Sequence, residues 1–193
     1  MIFTKIYVNN EKNQLEDYEN LCNLIVDKII GDNKIILSKV EFLKLFVEFA
    51  SNTMFIVDID GTLAKSLFHG KFDINDAFLN ELKSLKPYLY AEKIAAFFKT
   101  CDTYFVTGRS SELYELTKRW LEDNLSLNCN NFHLETIGFT TRQEYVKRKI
   151  DVICKIFENS GKKWLIVLDD DEKIIEGLFN INNPSMIVVH IYN

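Results

Sequence analysis

Residues 55–63, Phe-Ile-Val-Asp-Ile-Asp-Gly-Thr-Leu, constrain this chain more than any other stretch. Phe55, Ile56 and Val57 read as the end of a buried strand, which opens directly into two carboxylates, Asp58 and Asp60. Gly61 and Thr62 turn the chain at once. Two like charges at the mouth of an apolar strand are costly unless a positive group lies between them. A divalent metal ion and a phosphate-binding pocket would supply that group.

The rest of the chain supplies a frame for such a pocket. Short runs rich in Ile, Val, Phe and Leu recur at 54–59, 103–107, 132–137, 164–169 and 186–191. Helical periodicity fills 75–85, 88–99, 110–124, 142–158 and 171–180. Strands alternating with helices predict βαβ units, hence an α/β Rossmann-like core with a central parallel sheet and helices on both faces. Ligands of such sheets bind beyond the strand carboxyl ends. Asp58, Thr107 and Asp169 all fall there. Residues 53–193 form this core. Residues 1–52 read as an N-terminal helical lead-in, with a short strand at 1–8 and helices at 14–31 and 38–50.

Composition narrows the function classes. Apolar residues make up 47% and the net charge is −5, which argues against a broad basic nucleic-acid surface but not against a local basic groove. No apolar run approaches the roughly 18–20 residues that span a bilayer. The first residues lack a signal-peptide pattern, and the four cysteines are widely spaced. The expectation is a cytoplasmic chain with reduced thiols.

Each strand end carries residues suited to phosphoryl chemistry. Asp58 can attack phosphorus and form an acyl-phosphate. Asp60 can protonate a leaving oxygen and later deprotonate water. Thr62 can hold that acid in place. Thr107, Gly108 and Arg109 precede a helix N-terminus, a ready anion site. In the helix from residue 142, a lysine can neutralise both nucleophile and transferring phosphoryl group. Lys147 is the first candidate, with Arg148 and Lys149 as rivals, and Arg142 is placed for a second phosphate. Asp169 and Asp170 end an apolar strand as hard oxygen ligands suited to Mg²⁺. Asp58 and Asp60 complete the expected metal set. Asp171 and Glu172 favour the positive end of the next helix.

Together these four segments resemble the haloacid dehalogenase superfamily of phosphotransferases, over residues 54–193. The resemblance implies Asp58 as nucleophile, Mg²⁺ as cofactor and, with an aspartate at position 60, phosphoester hydrolysis. Within the superfamily, Asp60–Lys65, Thr117–Asp123, Thr141-Arg142 and Leu168-Asp169-Asp170 are similar to the phosphatase domain of phage-type polynucleotide kinase–phosphatases. That similarity implies 3′-phosphate ends of DNA or RNA as substrate. A nucleotidase or small-metabolite phosphatase is the alternative, and an inactive phosphate-binding module a further one. The chain has no Gly-x-x-x-x-Gly-Lys loop and so no kinase half. The spans around the first two motifs leave no room for a full lid, so the expected site is open. A short flap at 67–72 carries His69 and Lys71.

Overall fold

The computed structural model describes residues 2–7, 50–66, 75–128, 130–138, 141–183 and 185–192. The expected helices over 14–31 and most of 38–50, and the flap with His69 and Lys71, lie outside them.

Six strands form one parallel sheet in the order β1-β6-β5-β2-β3-β4. They are β1 (Ile2–Tyr7), β2 (Thr53–Val57), β3 (Asp102–Thr107), β4 (His133–Thr136), β5 (Trp164–Asp169) and β6 (Met186–Tyr192). The helices are α1 (Asp76–Ser84), α2 (Leu89–Thr100), α3 (Tyr114–Leu125), α4 (Arg142–Ser160) and α5 (Glu172–Ile181). Five of the strands coincide with the apolar runs of the sequence. The sixth, β1, pairs with β6 from Ile2↔Ile187 to Tyr7↔Tyr192 and so belongs to the core sheet.

Both faces of the sheet are covered, which is why β2 is apolar at every position and buried throughout. Alternate side chains go to opposite layers. Phe55 and Val57 pack with Leu82, Ile94, Phe98 and Leu121 of α1, α2 and α3. Met54 and Ile56 pack with Ile153, Ile174 and Leu178 of α4 and α5. The order of successive strands reverses at β2: β3 and β4 lie to one side, β5 and β6 to the other. The carboxyl ends of β2 and β5 therefore flank the topological switch point, where open α/β sheets bind ligands. Among the described residues, no helix is long and apolar enough to cross a membrane.

Helix boundaries follow local chemistry. Thr141 caps α4, its hydroxyl accepting the Glu144 N–H at 3.2 Å and donating to Glu144 Oε2 at 3.2 Å. Gly161 ends that helix at φ +66°. Asp171 caps α5 by accepting the Lys173 N–H at 3.0 Å.

Candidate active site

The chain leaves β2 through a tight turn. The Asp58 N–H donates to the Leu168 carbonyl at 2.9 Å, which ties the turn to β5. The Leu63 and Ala64 N–H groups both donate to the Ile59 carbonyl. Gly61 sits at φ +93°, and a Cβ there would lie 2.1 Å from Asp170 Oδ2. Glycine is needed twice over, for the backbone angle and for the carboxylate beside it.

Asp58 is almost fully buried. Its partner is Lys149, whose ammonium lies 2.5 Å from Asp58 Oδ1 and 2.8 Å from Asp169 Oδ2. Lys149 also donates to the Tyr145 hydroxyl at 3.0 Å. Tyr145, Lys149 and Ile153 are spaced by four and share the buried face of α4. Lys147, two positions from Lys149, lies on the exposed side, as does Arg148. Of the three rival cations the structure thus brings Lys149 to Asp58, and the expectation placed on Lys147 is corrected. Helical geometry is the reason, since two residues rotate the side chain by more than half a turn.

The charges are tightly coupled. Burial raises the Asp58 pKa; Lys149 opposes this, while Asp169, Asp170 and Asp60 add to it, and the result lies well above the usual carboxylate range. Burial alone would lower Lys149, but Asp169, Asp58 and Tyr145 outweigh it and push the ammonium well above its ordinary value. Burial, followed by Asp169, raises Asp170 to about 6 against a hydrogen bond from Thr62 and the charge of Lys149. Burial also lifts the Tyr145 phenol, so it stays neutral.

Asp58, Asp169 and Asp170 each offer a carboxylate oxygen, all within 4.8 Å of one another. Three carboxylates face one ammonium. Asp169 Oδ2 is buried and faces the Lys149 ammonium at 2.8 Å. Asp169 Oδ1 accepts the Asp171 N–H at 2.9 Å, and Thr62 donates to Asp170 Oδ1 at 2.8 Å. His190 Nε2 lies 3.1 Å from the Asp170 carbonyl. This donor set is all hard oxygen, with three carboxylates to one ammonium, which fits a small divalent cation such as Mg²⁺.

Asp60 stands apart from that cluster. Both of its oxygens are clamped by Arg109, Nε to Oδ2 and Nη2 to Oδ1, each at 2.7 Å. The Arg109 side chain is fully buried, donates to the Thr117 hydroxyl at 3.2 Å and lies over the Trp120 ring at 6.0 Å. Two sequence expectations change here. The Asp60 carboxylate is an arginine partner and not part of the acidic cluster, and Arg109 braces Asp60 from inside the core where substrate contact was expected. Thr107 is likewise buried. Its hydroxyl lies 3.4 Å from Asp60 Oδ2 and accepts the Arg109 N–H at 3.3 Å. Thr62, expected to hold Asp60, is instead bonded to Asp170.

A cleft of about 410 Å³ opens onto Asp58, with Asp60, Gly108, Tyr145, Asp170 and Arg142 in its wall. Gly108 gives Tyr145 its place, because a Cβ there would lie 3.0 Å from the tyrosine ring. Arg142 sits at the mouth, 2.6 Å from Asp171 Oδ2 and stacked over Tyr145 at 5.6 Å, with 53% of its side chain exposed. Tyr145 is the site residue that sequence reasoning passed over. The one signal for it was its position one turn before Lys149.

No protein-family model matches the chain, and no curated protein does. Among solved structures it is similar to the HAD domain of effector protein Lem4 from Legionella pneumophila, with a TM-score of 0.48 and 11% identity over 74% of this chain and 87% of that one. It is also similar to a chain of the Pnkp1/Rnl/Hen1 complex, with a TM-score of 0.50 and 12% identity over 99% of this chain and 88% of that one. The parallel strand order, with an acidic strand end at the switch point, and the likeness to the Pnkp1/Rnl/Hen1 chain give the protein a Rossmann-like α/β fold.

Proposed function

We propose that the protein is a Mg²⁺-dependent phosphomonoesterase that works through an aspartyl-phosphate on Asp58, with 3′-phosphate ends of nucleic acid as substrate. The observation that carries this reading is the buried Asp58–Lys149–Asp169 arrangement at the carboxyl ends of two adjacent parallel strands. Such an arrangement gives an oriented carboxylate nucleophile and a fixed positive charge at one point.

In the first step an Asp58 oxygen bonds to phosphorus and the ester P–O bond breaks. The departing alkoxide takes a proton from Asp60. In the second, water attacks phosphorus and gives its proton to Asp60, and the acyl-phosphate bond opens to release inorganic phosphate and free Asp58. Arg109 occupies one lone pair on each Asp60 oxygen, so the proton is carried on a lone pair that Arg109 leaves open. Lys149 keeps Asp58 oriented and offsets charge on the phosphoryl oxygens. A divalent cation held by Asp58, Asp169 and Asp170 would supply further Lewis-acid neutralisation of those oxygens.

The nucleic-acid assignment draws on the matching stretches around Asp60, Thr117–Asp123 and Thr141-Arg142, and on the cations at the mouth of the cleft. Release of phosphate from an aryl phosphate in Mg²⁺, lost in Asp58→Asn, tests the chemistry; equal turnover by that variant refutes the nucleophile. Faster hydrolysis of a 3′-phosphorylated oligonucleotide than of nucleoside monophosphates tests the substrate, and the reverse order makes the protein a nucleotidase.

A further inference from the structure

A second cleft, of about 370 Å³, lies on the outer side of α4 next to the first. Arg142 and Lys173 stand in the walls of both. The second cleft continues along one stripe of α4, where Val146, Lys147 and Ile150 follow Arg142 at helical spacing. Val146 and Ile150 are half-buried and pack against the core, so they form an apolar floor. Arg142, Lys147 and Lys173 form the rim, with Asp151 the one acidic residue among the lining. Counting Asp151 and the Asp171 carboxylate paired with Arg142, the rim keeps one net positive charge on a chain of net charge −5. Among the described residues, neither Lys147 nor Lys173 makes an ion pair.

The packing of α5 on α4 builds this floor. The Gly177 face of α5 lies against Ile150, whose Cδ1 would be 2.2 Å from a Cβ there. Lys173 is one turn before Gly177 and shares its face of α5, which aims it along α4. Arg142 keeps half its side chain exposed while paired with Asp171, so it can serve both clefts.

We infer that this second cleft seats the nucleotide adjacent to the phosphorylated end of a single-stranded polynucleotide. Its sugar and base lie on Val146 and Ile150, and its phosphodiester meets Lys147, Lys173 and Arg142. An apolar floor inside a cationic rim matches a chain that alternates flat apolar bases with phosphates. This inference rests on the phosphatase reading and gives it a direction of approach: the strand runs from Asp58 across Arg142 to Lys147.

The test compares Lys147→Ala and Lys147→Glu with the wild type on four substrates in Mg²⁺: a 3′-phosphorylated hexanucleotide (as DNA and as RNA), a nucleoside 3′-monophosphate, an aryl phosphate and a phosphoserine peptide. The expected result is a kcat/KM ratio of hexanucleotide to mononucleotide that falls about fivefold in Lys147→Ala and further in Lys147→Glu. The log–log salt dependence for the hexanucleotide should flatten by about 0.7. An unchanged ratio overturns the inference. An equal loss on the phosphopeptide overturns the nucleic-acid assignment of the cleft. If the aryl phosphate is not hydrolysed at all, the phosphatase reading falls. Binding of a fluorescent hexanucleotide then decides the cleft separately: weakening by Lys147→Glu upholds it, and no change refutes it.

Discussion

Replacing Lys149 by methionine removes the one positive charge buried among Asp58, Asp169 and Asp170. The side chain keeps much of its length, so the change is chiefly electrostatic. Breaking a buried ion pair from one side costs about 3–5 kcal/mol, because the partner charge is left without compensation. Here two partners are left, at 2.5 and 2.8 Å. For a domain of this size each kcal/mol moves the melting temperature by about 2–4 °C, so Lys149→Met should melt about 6–20 °C lower at pH 7.5 in EDTA. The pH dependence is a sharper test. The Lys149 pKa is raised in the folded state, so its contribution is fully present below the ordinary lysine value and is lost only as pH climbs through the raised one. The gap between variant and wild type should therefore stay wide from pH 7 to 9. It should narrow as pH falls far enough to protonate Asp58, whose own pKa is raised. Adding Asp58→Asn to Lys149→Met should recover part of the loss by removing one stranded carboxylate. Calorimetry across pH 4–9 measures all of this. Melting temperatures within about 2 °C of wild type, or a gap that does not close in acid, would refute the argument that Lys149 offsets buried carboxylate charge.

Three further outcomes follow from the same geometry. Asp170 is raised to about 6, so the stability it contributes is present below its ordinary value of 3.8 and is lost as pH rises through about 6; in EDTA, Asp170→Asn should gain on the wild type between pH 4 and 7 by up to about 3 kcal/mol in urea denaturation, and Mg²⁺ should reverse that gain. Gly61→Ala forces a side chain into the Asp170 carboxylate at φ +93° and should cost about 1–3 kcal/mol in backbone strain as well as Mg²⁺ affinity by titration calorimetry; an alanine variant with unchanged affinity would show that Asp170 does not need its present position. Arg109→Lys keeps the charge but loses the two-pronged grip on Asp60 and should lower kcat on an aryl phosphate more than it raises KM; an effect on KM alone would mean that Arg109 reaches substrate.

The strands that carry the site were legible because each is apolar enough to be buried on both faces, and because carboxylates end two of them. The acidic residues at 58, 169 and 170 could be grouped for the same reason. The choice among Lys147, Arg148 and Lys149 was harder. Ile150, Ile153 and Cys154 suggested an apolar side of α4, yet Ile150 meets Gly177 on α5 while Ile153 faces the sheet. The helix is contacted on two flanks, so a single hydrophobic stripe did not locate the side that faces Asp58. Arg109 misled for another reason. An arginine beside a glycine at a helix N-terminus suits an external anion, and only the fold shows Thr117 and Trp120 closing over it. Tyr145 depended on knowing Lys149 first. The place of residues 2–7 in the core sheet could not be read locally, since their partner strand is at the far end of the chain.

That partner strand sets the order of events as the protein is made. Ile2 pairs with Ile187, a separation of 185 positions. At about 5–20 residues per second of synthesis, the edge strand waits about 10–40 s for its neighbour to leave the ribosome. Asp169 precedes Ile187 by only 18 positions, so the cluster of Asp58, Lys149 and Asp169 is complete just about 1–4 s before the partner of Ile2 is made. The acidic cluster and the last sheet edge thus form together at the end of synthesis, and closure by so remote a pairing is the slow step a folding experiment should detect.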